Sequence, residues 1–338
     1  MPATIDRTSD KKEGTLNLRK IAFEQDKEVI APGHKLCPGC GITVIMRQLF
    51  AAVDYPMIVA NATGCLEVCS GNLPYTSWRV PWIHNAFENC SATASGVDAA
   101  MKAMRRKGKL LEERPIKVLA IGGDGGTYDI GLQALSGAME RGHELVYLCF
   151  DNQGYMNTGG QRSSSTPFGS STKTTPAGKK IPGKQQERKD LTLIMAAHHI
   201  PYTAQASPSR WPDLAKKIRK AFDCGGPAFL NCLSVCPTDW KTDVQQGLNI
   251  TQTAVDTCYW PLYEVERGVV RVTYKPKLKK PVTDWLANQG RFKHVLKKGN
   301  EWMVEKIQAE VDRRWNMLLA LEAATGGVEE KKPVKAEA

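Results

Sequence analysis

The fold is decided by residues 122–167, which read GGDGGTYDIGLQALSGAMERGHELVYLCFDNQGYMNTGGQRSSSTP. This stretch opens with a glycine-rich turn around Asp124, continues through a helix-like segment and an apolar strand, and reaches Asp151 and Asn152 before a second glycine-rich loop. Two loops at the ends of neighbouring strands can share the near-octahedral oxygen ligands that Mg²⁺ requires. In such a site, Asp124 provides a carboxylate and Asn152 a side-chain oxygen.

The glycines around Asp124 favour a phosphate group beside this ion. Glycine lets backbone N–H groups approach a ligand closely, and the start of a helix attracts anions. The pattern therefore predicts a metal-bound diphosphate. Because a GDG turn on its own more often marks a surface turn, the prediction depends on the whole block and its spacing. The glycines concerned are Gly122, Gly123, Gly125 and Gly126.

The same block predicts the fold class. Residues 116–122 form an apolar run typical of a strand buried on both faces, a helix follows over about 128–141, and a second strand covers 145–150. Strand, helix and strand in this order imply a crossover between parallel strands, with ligands bound beyond their carboxyl ends. We therefore expect an α/β fold with a mostly parallel twisted sheet and helices on both faces.

The remaining pattern extends this architecture along the chain. Residues 1–30 are predicted as an N-terminal arm, residues 31–242 as the cofactor-binding domain, and residues 243–338 as a C-terminal helical extension for subunit contacts. Apolar spacing predicts helices over 42–53, 91–104, 191–199, 208–222 and 301–324, and strands over 57–60, 201–206 and 227–235.

Composition limits the classes of function. The chain has 338 residues, is 42% hydrophobic and carries a formal net charge of +11. Its positive charges gather in residues 102–109, 173–189 and 275–298, where aromatic residues do not alternate with them as on a base-stacking surface. A solvated face or docking to acidic partners is therefore favoured over nucleic acid. With no apolar run of 18 residues and no signal peptide, we expect a cytoplasmic protein without a membrane span.

Ten cysteines in a reducing compartment indicate metal ligation or redox chemistry. Cys37 and Cys40 form a CxxC motif in a loop at a helix start, where the helix dipole stabilises thiolate charge. A c-type haem site is excluded because Gly41, rather than histidine, follows the motif. A dithiol, a zinc site and an iron–sulfur cluster all stay open, and the motif alone favours zinc or a dithiol.

Several motifs together resemble one enzyme family. The GDG turn, followed 28 positions later by the asparagine of DNQGYMNTGGQ, resembles the thiamine diphosphate signature of the 2-oxoacid:ferredoxin oxidoreductases. The segments TGCLEV, WIHNAFEN, QRSSSTPFG and CPTDW resemble the beta chains of this family, most closely those of the pyruvate enzymes. The resemblance covers roughly residues 31–242. It reverses the preference at the CxxC motif in favour of an iron–sulfur cluster.

The resemblance implies a set of site residues. Asp124, Asn152 and the Gly154 carbonyl are implied as magnesium ligands, and Asn157 is implied to face the substrate and the thiazolium ring. One [4Fe–4S] cluster is implied to bind Cys37, Cys40, Cys65 and Cys236, with Cys69, Cys224 and Cys232 as alternatives. Asp239 stands where the family usually has glycine. The implied cofactor-binding residues are Gly123, Asp124, Gly125, Gly126, Asn152, Gly154, Asn157 and Thr158.

The resemblance also implies an activity that needs partners. It implies oxidative decarboxylation of a 2-oxoacid, with coenzyme A taking the acyl group and iron–sulfur clusters passing electrons to ferredoxin. An alpha subunit completes the active site in this family, so we expect the chain alone to be inactive and to assemble with alpha, gamma and ferredoxin-like subunits. Pyruvate is the first substrate expected. Alternatives are oxalate or phenylglyoxylate as substrate, and NAD as final acceptor.

Two other classes of function are carried as alternatives. One is a thiamine enzyme without redox function whose cysteines bind zinc, and the other is a basic zinc-binding nucleic-acid module. Residues 162–189 add a further choice because their Ser, Thr, Gly and Lys content fits a disordered linker. Since this segment directly follows the proposed site, we predict an ordered loop at the mouth of the active site.

Overall fold

A computed structural model describes residues 29–72, 74–110, 114–178 and 180–327. The predicted N-terminal arm, apart from its last two residues, and the charged C-terminal tail lie outside these ranges. Eight strands form one sheet in the order β2-β1-β3-β4-β6-β5-β7-β8. The strands are β1 (Met57–Ala62), β2 (Trp82–Asn85), β3 (Lys117–Gly123), β4 (Val146–Asp151), β5 (Tyr202–Ala206), β6 (Ala228–Leu233), β7 (Leu262–Glu266) and β8 (Val269–Tyr274).

Helices pack around this sheet. Within the described ranges, no helix has both the length and the apolar character that a membrane span requires. The α-helices are α1 (Gly41–Ala52), α2 (Cys65–Ser70), α3 (Cys90–Arg106), α4 (Leu132–Glu140), α5 (Leu191–Ala196), α6 (Trp211–Asp223), α7 (Pro237–Trp240), α8 (Gly247–Asp256), α9 (Thr283–Leu286) and α10 (Glu301–Ala324), joined by a π-helix over Gly125–Ile130 and 3₁₀ turns over Pro208–Arg210 and Gly290–Phe292.

The predicted fold class is confirmed. Strands β1 to β6 pair in parallel, whereas β7 and β8 pair antiparallel at one side of the sheet. The central strands are apolar runs buried on both faces: all six residues of β4 and all six of β6 are buried. Burial of such side chains contributes about 1.5–3 kcal/mol each, which makes these strands the centre of the core.

One predicted helix begins differently in the structure. Residues from Tyr128 onward were expected to be α-helical, but a π-helix over Gly125–Ile130 precedes α4. The wider turn is closed by a bond from the Gly131 amide to the Gly126 carbonyl at 2.7 Å. A Cβ atom on Gly131 would lie 2.3 Å from that carbonyl oxygen, so the close approach requires glycine. Single π turns of this kind are frequent at functional sites.

The segment after residue 242 both adds to the sheet and packs beside it. Its strand β7 pairs with β5, and β8 completes the antiparallel edge. Trp260 and Trp285 from this segment are fully buried together with Trp240. Residues 243–327 therefore pack against the cofactor-binding region in the same chain, and their predicted contacts to other subunits stay a prediction.

The parallel strands bring five connecting loops to one edge. Strands β2, β1, β3, β4 and β6 are neighbours in this order and run in the same direction. Their carboxyl ends therefore lie side by side. The loops after β1, β3, β4 and β6 carry Cys65, Asp124, Asn152 and Cys236 respectively. The topology thus gathers predicted residues that are widely separated in the sequence.

Candidate active site

Asp124 directly follows β3 and is completely buried. Its Oδ1 atom accepts a bond from the Asn152 amide at 3.1 Å, and its Oδ2 atom accepts one from the Ser163 hydroxyl at 2.5 Å. Burial, and then the nearby charge of Asp151, raise the pKa of Asp124 well above its ordinary value. A buried carboxylate beside a second acidic group favours a bound cation, because a cation offsets both the desolvation and the repulsion at Asp124.

Three oxygen-bearing groups converge beside Asp124. One side-chain amide atom of Asn152 lies 2.8 Å from Asp124 Oδ1 and 2.9 Å from the Gly154 carbonyl oxygen. As a nitrogen, this atom donates to both oxygens. As an oxygen, it completes a set of three acceptors that a bound cation can bring together. A carboxylate, an amide oxygen and a main-chain carbonyl are ligands suited to Mg²⁺, so the predicted ligands fit the ion.

Three consecutive serines anchor the second glycine-rich loop, and their roles were not predicted from the sequence. The Ser163 hydroxyl donates to Asp124, the Ser164 hydroxyl to Asp129, and the Ser165 hydroxyl to Asp151 at 2.6 Å. The sequence signals were the run of hydroxyl residues immediately after the predicted cofactor loop and the resemblance of QRSSSTPFG to the family. The bonds hold these serines against the carboxyl ends of β3 and β4, as the predicted loop at the mouth of the site requires.

Asp151 is held away from the proposed ion by a separate network. Its Oδ2 atom accepts bonds from the Tyr128 hydroxyl at 2.7 Å and from the Arg188 guanidinium at 3.1 Å. Its Oδ1 atom accepts from the Gln153 amide at 3.1 Å. Arg188 and Asp151 form a buried ion pair that fixes the chain at Arg188 against the end of β4. Asp151 therefore supports the loop and leaves the open oxygens to Asp124, Asn152 and Gly154.

A cleft connects the predicted diphosphate loops with one predicted cluster cysteine. It encloses about 310 Å³, including its open mouth, and Cys65, Asn152, Gly154, Asn157 and Thr158 all line it. Asn157 and Thr158 are exposed at this cleft, where the Thr158 hydroxyl donates to the Gln161 side chain at 2.5 Å. The structure therefore brings loops after β1, β3 and β4 to one opening, lined by Gly123, Gly125 and Gly126.

The four predicted cluster cysteines occupy one region of the fold. The chain turns so that the Cys40 amide donates to the Cys37 carbonyl at 3.1 Å, and the Gly41 amide donates to the Val235 carbonyl at 3.0 Å. The second bond brings the start of α1 beside the Cys236 loop. Cys40 precedes α1, Cys65 begins α2 and Cys236 precedes α7. Helix starts favour negative charge, which suits thiolates and sulfide.

The thiols interact electrostatically, but they do not form a closed ligand set. Burial and then the nearby Cys236 and Cys37 thiols raise the pKa of Cys40 to about 12, with backbone hydrogen bonds opposing the shift. Burial raises the pKa of Cys65, with further contributions from Cys236, Cys40, Cys69 and Cys37. Among the described residues, no group of three or more metal-binding side chains lies close enough to hold a metal ion.

The alternative cysteines differ in their surroundings. Cys69 lies one turn after Cys65 in α2, where burial and then the nearby Cys37 thiol raise its pKa. Cys232 is completely buried within β6, and its pKa is raised by burial. The Cys224 thiol interacts with the main-chain carbonyls of Ala221 and Gly226. These surroundings favour the four predicted cysteines over the alternatives.

Trp240 joins the Cys236 loop to the proposed magnesium loop. Its main-chain amide donates to the Cys236 carbonyl at 2.9 Å, and its indole N–H donates to the Asn152 carbonyl at 2.8 Å. Nearby, the Asp239 carboxylate abuts Gly160, where a Cβ atom would lie 1.7 Å from it. In the CPTDW motif, only the cysteine was predicted to have a role, as a cluster ligand. Its tryptophan and aspartate also contact the glycine-rich loop.

A larger cleft lies elsewhere in the chain. It encloses about 520 Å³ between α10 and residues such as Tyr259 and Tyr263, and none of the predicted site residues lines it. The smaller cleft at the carboxyl edge of the sheet is therefore the candidate active site, because position and ligand chemistry agree there.

Similarity to known proteins identifies the class. Residues 62–232 match the family model of the thiamine pyrophosphate enzyme, C-terminal TPP binding domain; thiamine pyrophosphate is another name for thiamine diphosphate. This range contains both glycine-rich loops and the carboxyl ends of β1, β3 and β4. The fold and the site thus define a thiamine diphosphate-binding enzyme.

Full-length relatives define the family. The chain is 50% identical over 326 residues to the pyruvate synthase subunit PorB of Thermotoga maritima, which covers 95% of this chain and 99% of the relative. It is 50% identical over 292 residues to PorB of Methanocaldococcus jannaschii, covering 86% and 97% respectively. The chain belongs to the beta subunits of the 2-oxoacid:ferredoxin oxidoreductases, and it is an oxidoreductase subunit rather than a nucleic-acid module.

A solved structure shares the architecture. It is the 2-oxoglutarate:ferredoxin oxidoreductase from Magnetococcus marinus with 2-oxoglutarate, coenzyme A and succinyl-CoA bound. The alignment has a TM-score of 0.51 and 22% identity, and it covers 68% of this chain and 81% of the other. At this identity, the likeness supports the fold alone.

Proposed function

We propose that this chain, together with partner subunits, oxidatively decarboxylates a 2-oxoacid, with pyruvate as the first candidate. The products are the acyl-coenzyme A thioester and carbon dioxide, and two electrons pass through iron–sulfur clusters to ferredoxin. The observation that carries the proposal is the shared cleft, which is lined both by Cys65 and by the loop residues Asn152, Gly154 and Asn157. Adjacency matters because electron removal must occur beside the carbon that loses carbon dioxide.

Different residues of this chain are proposed to bind the metal ion, the diphosphate and the substrate. Asp124, Asn152 and the Gly154 carbonyl would hold Mg²⁺, and the amides beside Asp124 would approach the diphosphate oxygens. When bound, thiamine diphosphate supplies the electron sink for decarboxylation. Asn157 is exposed at the cleft, where its amide can orient the substrate. Each of these residues is thus proposed to have a specific role in binding thiamine diphosphate, its metal ion or the substrate.

A [4Fe–4S] cluster is proposed at Cys37, Cys40, Cys65 and Cys236. The shared region, the electrostatic interactions among the thiols and the three helix starts support this ligand set. Binding requires the thiols to draw closer than they are in the structure. The cluster would accept electrons one at a time.

The experiment that tests the function uses the assembled complex. The chain should be purified anaerobically with its partner subunits, and reduction of ferredoxin should be measured with pyruvate, oxalate and phenylglyoxylate, each with and without coenzyme A. We expect reduction that requires both pyruvate and coenzyme A, and none from this chain alone. Activity with oxalate or phenylglyoxylate, and none with pyruvate, would make that compound the assigned substrate instead of pyruvate. Zinc without sulfide in the purified chain would refute the redox proposal.

Ser163→Ala is expected to weaken magnesium binding by about 10–100-fold, the usual effect of removing a bond that orients a metal ligand. The Ser163 hydroxyl donates to Asp124 Oδ2 and fixes that carboxylate against Asn152. The measurement is the magnesium concentration that gives half-maximal binding of thiamine diphosphate. Ser164→Ala is the matched control because its hydroxyl donates to Asp129. Equal weakening by both substitutions would mean that loop order, rather than the Asp124 bond, controls affinity.

A further inference from the structure

Lys184 is a fully buried lysine in the segment that follows the second glycine-rich loop, and it is 0% exposed. Its Nζ atom donates to the Thr166 carbonyl, to the Glu187 carbonyl at 3.4 Å and to the Ser164 carbonyl at 3.5 Å. An ammonium group has three N–H donors, so these three carbonyls can use all of them. The side chain of Lys184 therefore binds the main chain of the loop at three points.

The main chain at Lys184 is fixed against the same loop. Its amide donates to the Ser170 carbonyl at 3.1 Å, and its carbonyl accepts from the Gly169 amide at 2.8 Å. The preceding Gly183 has a φ of +86°, and a Cβ atom there would lie 2.8 Å from the carbonyl oxygens of both Gly169 and Ser170. This close approach requires glycine. The backbone thus places the Lys184 side chain beside the serine run.

A continuous series of hydrogen bonds leads from Lys184 to the candidate active site. Thr166, whose carbonyl accepts from Lys184, donates its hydroxyl to the Gln153 carbonyl at 2.7 Å. The same hydroxyl oxygen accepts from the Ser163 amide at 2.9 Å. The Ser163 hydroxyl donates to Asp124 Oδ2 at 2.5 Å. Lys184 therefore supports the residue that orients the proposed magnesium ligand, although it does not contact that ligand itself.

Lys184 keeps its three donors at neutral pH despite its burial. Burial, and then the nearby Arg162 and Arg188 cations, lower the pKa of Lys184 to about 8, which leaves most of the side chain protonated at pH 7. A second buried lysine has different partners: Lys217 is 1% exposed and donates to the Asp213 carboxylate at 2.7 Å. A carboxylate offsets the cost of burying an ammonium group, whereas the hydrogen bonds of Lys184 go to neutral carbonyls.

We propose that Lys184 is a positioning residue, whose ammonium group fixes the main chain at Ser164 and Thr166 and thereby holds Ser163 against Asp124 in the conformation that binds thiamine diphosphate. The inference rests on the magnesium ligands of the proposed function. Without the ammonium group, the Thr166 carbonyl loses its described donor, and a buried carbonyl without a partner favours movement of the loop. The Ser163–Asp124 bond is then present in only a fraction of the molecules. Because apparent affinity falls in proportion to the fraction of molecules in the binding conformation, cofactor binding weakens while the loaded site keeps its geometry.

The test uses Lys184→Met in the complex purified anaerobically with its partner subunits. Methionine keeps most of the bulk of lysine but has no N–H donor. Calorimetric titration with thiamine diphosphate at a fixed Mg²⁺ concentration measures the half-saturating concentration. We expect this concentration to rise about tenfold, the lower end of the usual effect of losing a group that orients a metal ligand, while kcat at saturating cofactor stays unchanged. Hydrogen exchange of the amides of residues 163–170 should be faster in the cofactor-free variant and should slow again when the cofactor binds.

Lys217→Met is the matched control, because it removes an equally buried ammonium group whose described partners are Asp213, Gln205 and Thr273. It should lower the free energy of unfolding and leave the half-saturating concentration of thiamine diphosphate unchanged. Lys184→Gln, which keeps two N–H donors without the charge, replaces Lys184→Met if the methionine variant does not fold. An unchanged half-saturating concentration in the Lys184 variant would overturn the inference. An equal increase in the Lys217 variant would also overturn it, since general loss of stability would then explain both.

Failure of the proposed function gives a different result. Binding of thiamine diphosphate is measured separately from oxidation of a 2-oxoacid. If the unaltered complex binds the cofactor but oxidises no 2-oxoacid, the proposed function fails, and the comparison of Lys184→Met with Lys217→Met still decides the role of Lys184.

Discussion

Replacing Asp124 with asparagine is expected to abolish magnesium-dependent binding of thiamine diphosphate while stabilising the cofactor-free protein. The carboxylate is the only charged group among the three proposed ligands, so its loss should cost about 3–5 kcal/mol of binding, or roughly 10²–10⁴-fold in affinity. Asparagine can keep both local bonds, because its oxygen accepts from the Asn152 amide and its nitrogen can donate to Ser163 Oγ. Titration calorimetry with and without Mg²⁺ measures this loss.

The stabilisation follows from the raised pKa of Asp124. The unfolded chain ionises near the ordinary value of 3.8, whereas the folded chain holds its proton to a higher pH. Between these two values, the folded state binds more protons, so stability falls as pH rises. Each unit of difference between the folded and unfolded pKa values of Asp124 lowers the free energy of unfolding at neutral pH by about 1.4 kcal/mol. Asparagine has no proton to lose, so the free energy of unfolding of the variant should be higher at neutral pH and should lose this pH dependence.

Asp98→Asn is the matched control for the loss of a buried carboxylate. Asp98 is 2% exposed in α3, where it bonds Lys102 at 2.7 Å and His143 at 2.9 Å. Removing it should lower the free energy of unfolding and leave cofactor binding intact. The two substitutions are therefore expected to change the free energy of unfolding in opposite directions, and only Asp124→Asn is expected to weaken cofactor binding. Normal cofactor affinity in Asp124→Asn would refute the proposed magnesium site.

The central sheet was predictable because its strands are continuous apolar runs. Strands β3 and β4 lie within a residue of their predicted bounds, and α10 spans the predicted residues. Strand β2 was not predicted, because only Asn85 among its four residues is buried and no apolar run marks it. Strand β8 does alternate apolar and polar residues, but it was not predicted. Its place beside β7 depends on antiparallel pairing across a turn.

Strand order alone predicts a site residue where that residue directly follows a strand. Asp124 follows β3 and Asn152 follows β4, so parallel pairing alone brings them together. The serine contacts depend on a loop that folds back over the sheet edge: Ser163 lies 39 positions from Asp124. Lys184 lies 18 positions from Thr166. Such contacts arise from tertiary packing, for which a single sequence carries no local signal.

Cys65→Ser is expected to remove the iron–sulfur cluster, whereas Cys69→Ser is expected to retain it. Both cysteines belong to α2 and differ by about one turn of helix. Cys65 begins the helix, lines the candidate cleft and interacts with Cys40 and Cys236. Cys69 lies at the other end of this short helix, beside Cys37 and Lys35. A cubane needs a thiolate at each of its iron atoms, so serine at a ligand position should prevent stable assembly.

The measurement is iron and acid-labile sulfide per chain after anaerobic purification, with circular dichroism to verify folding. Cys69→Ser should keep about four iron atoms, while Cys65→Ser should fall well below that content. Cys69 is a strict control because its substitution alters the same helix and the same thiol chemistry. If only Cys69→Ser lost iron, Cys69 would replace Cys65 as the proposed cluster ligand. Cys65 would then line the thiamine cleft without binding iron. Retention of iron in both variants would mean that neither cysteine of α2 is a cluster ligand. The cluster and the cleft would then no longer share Cys65.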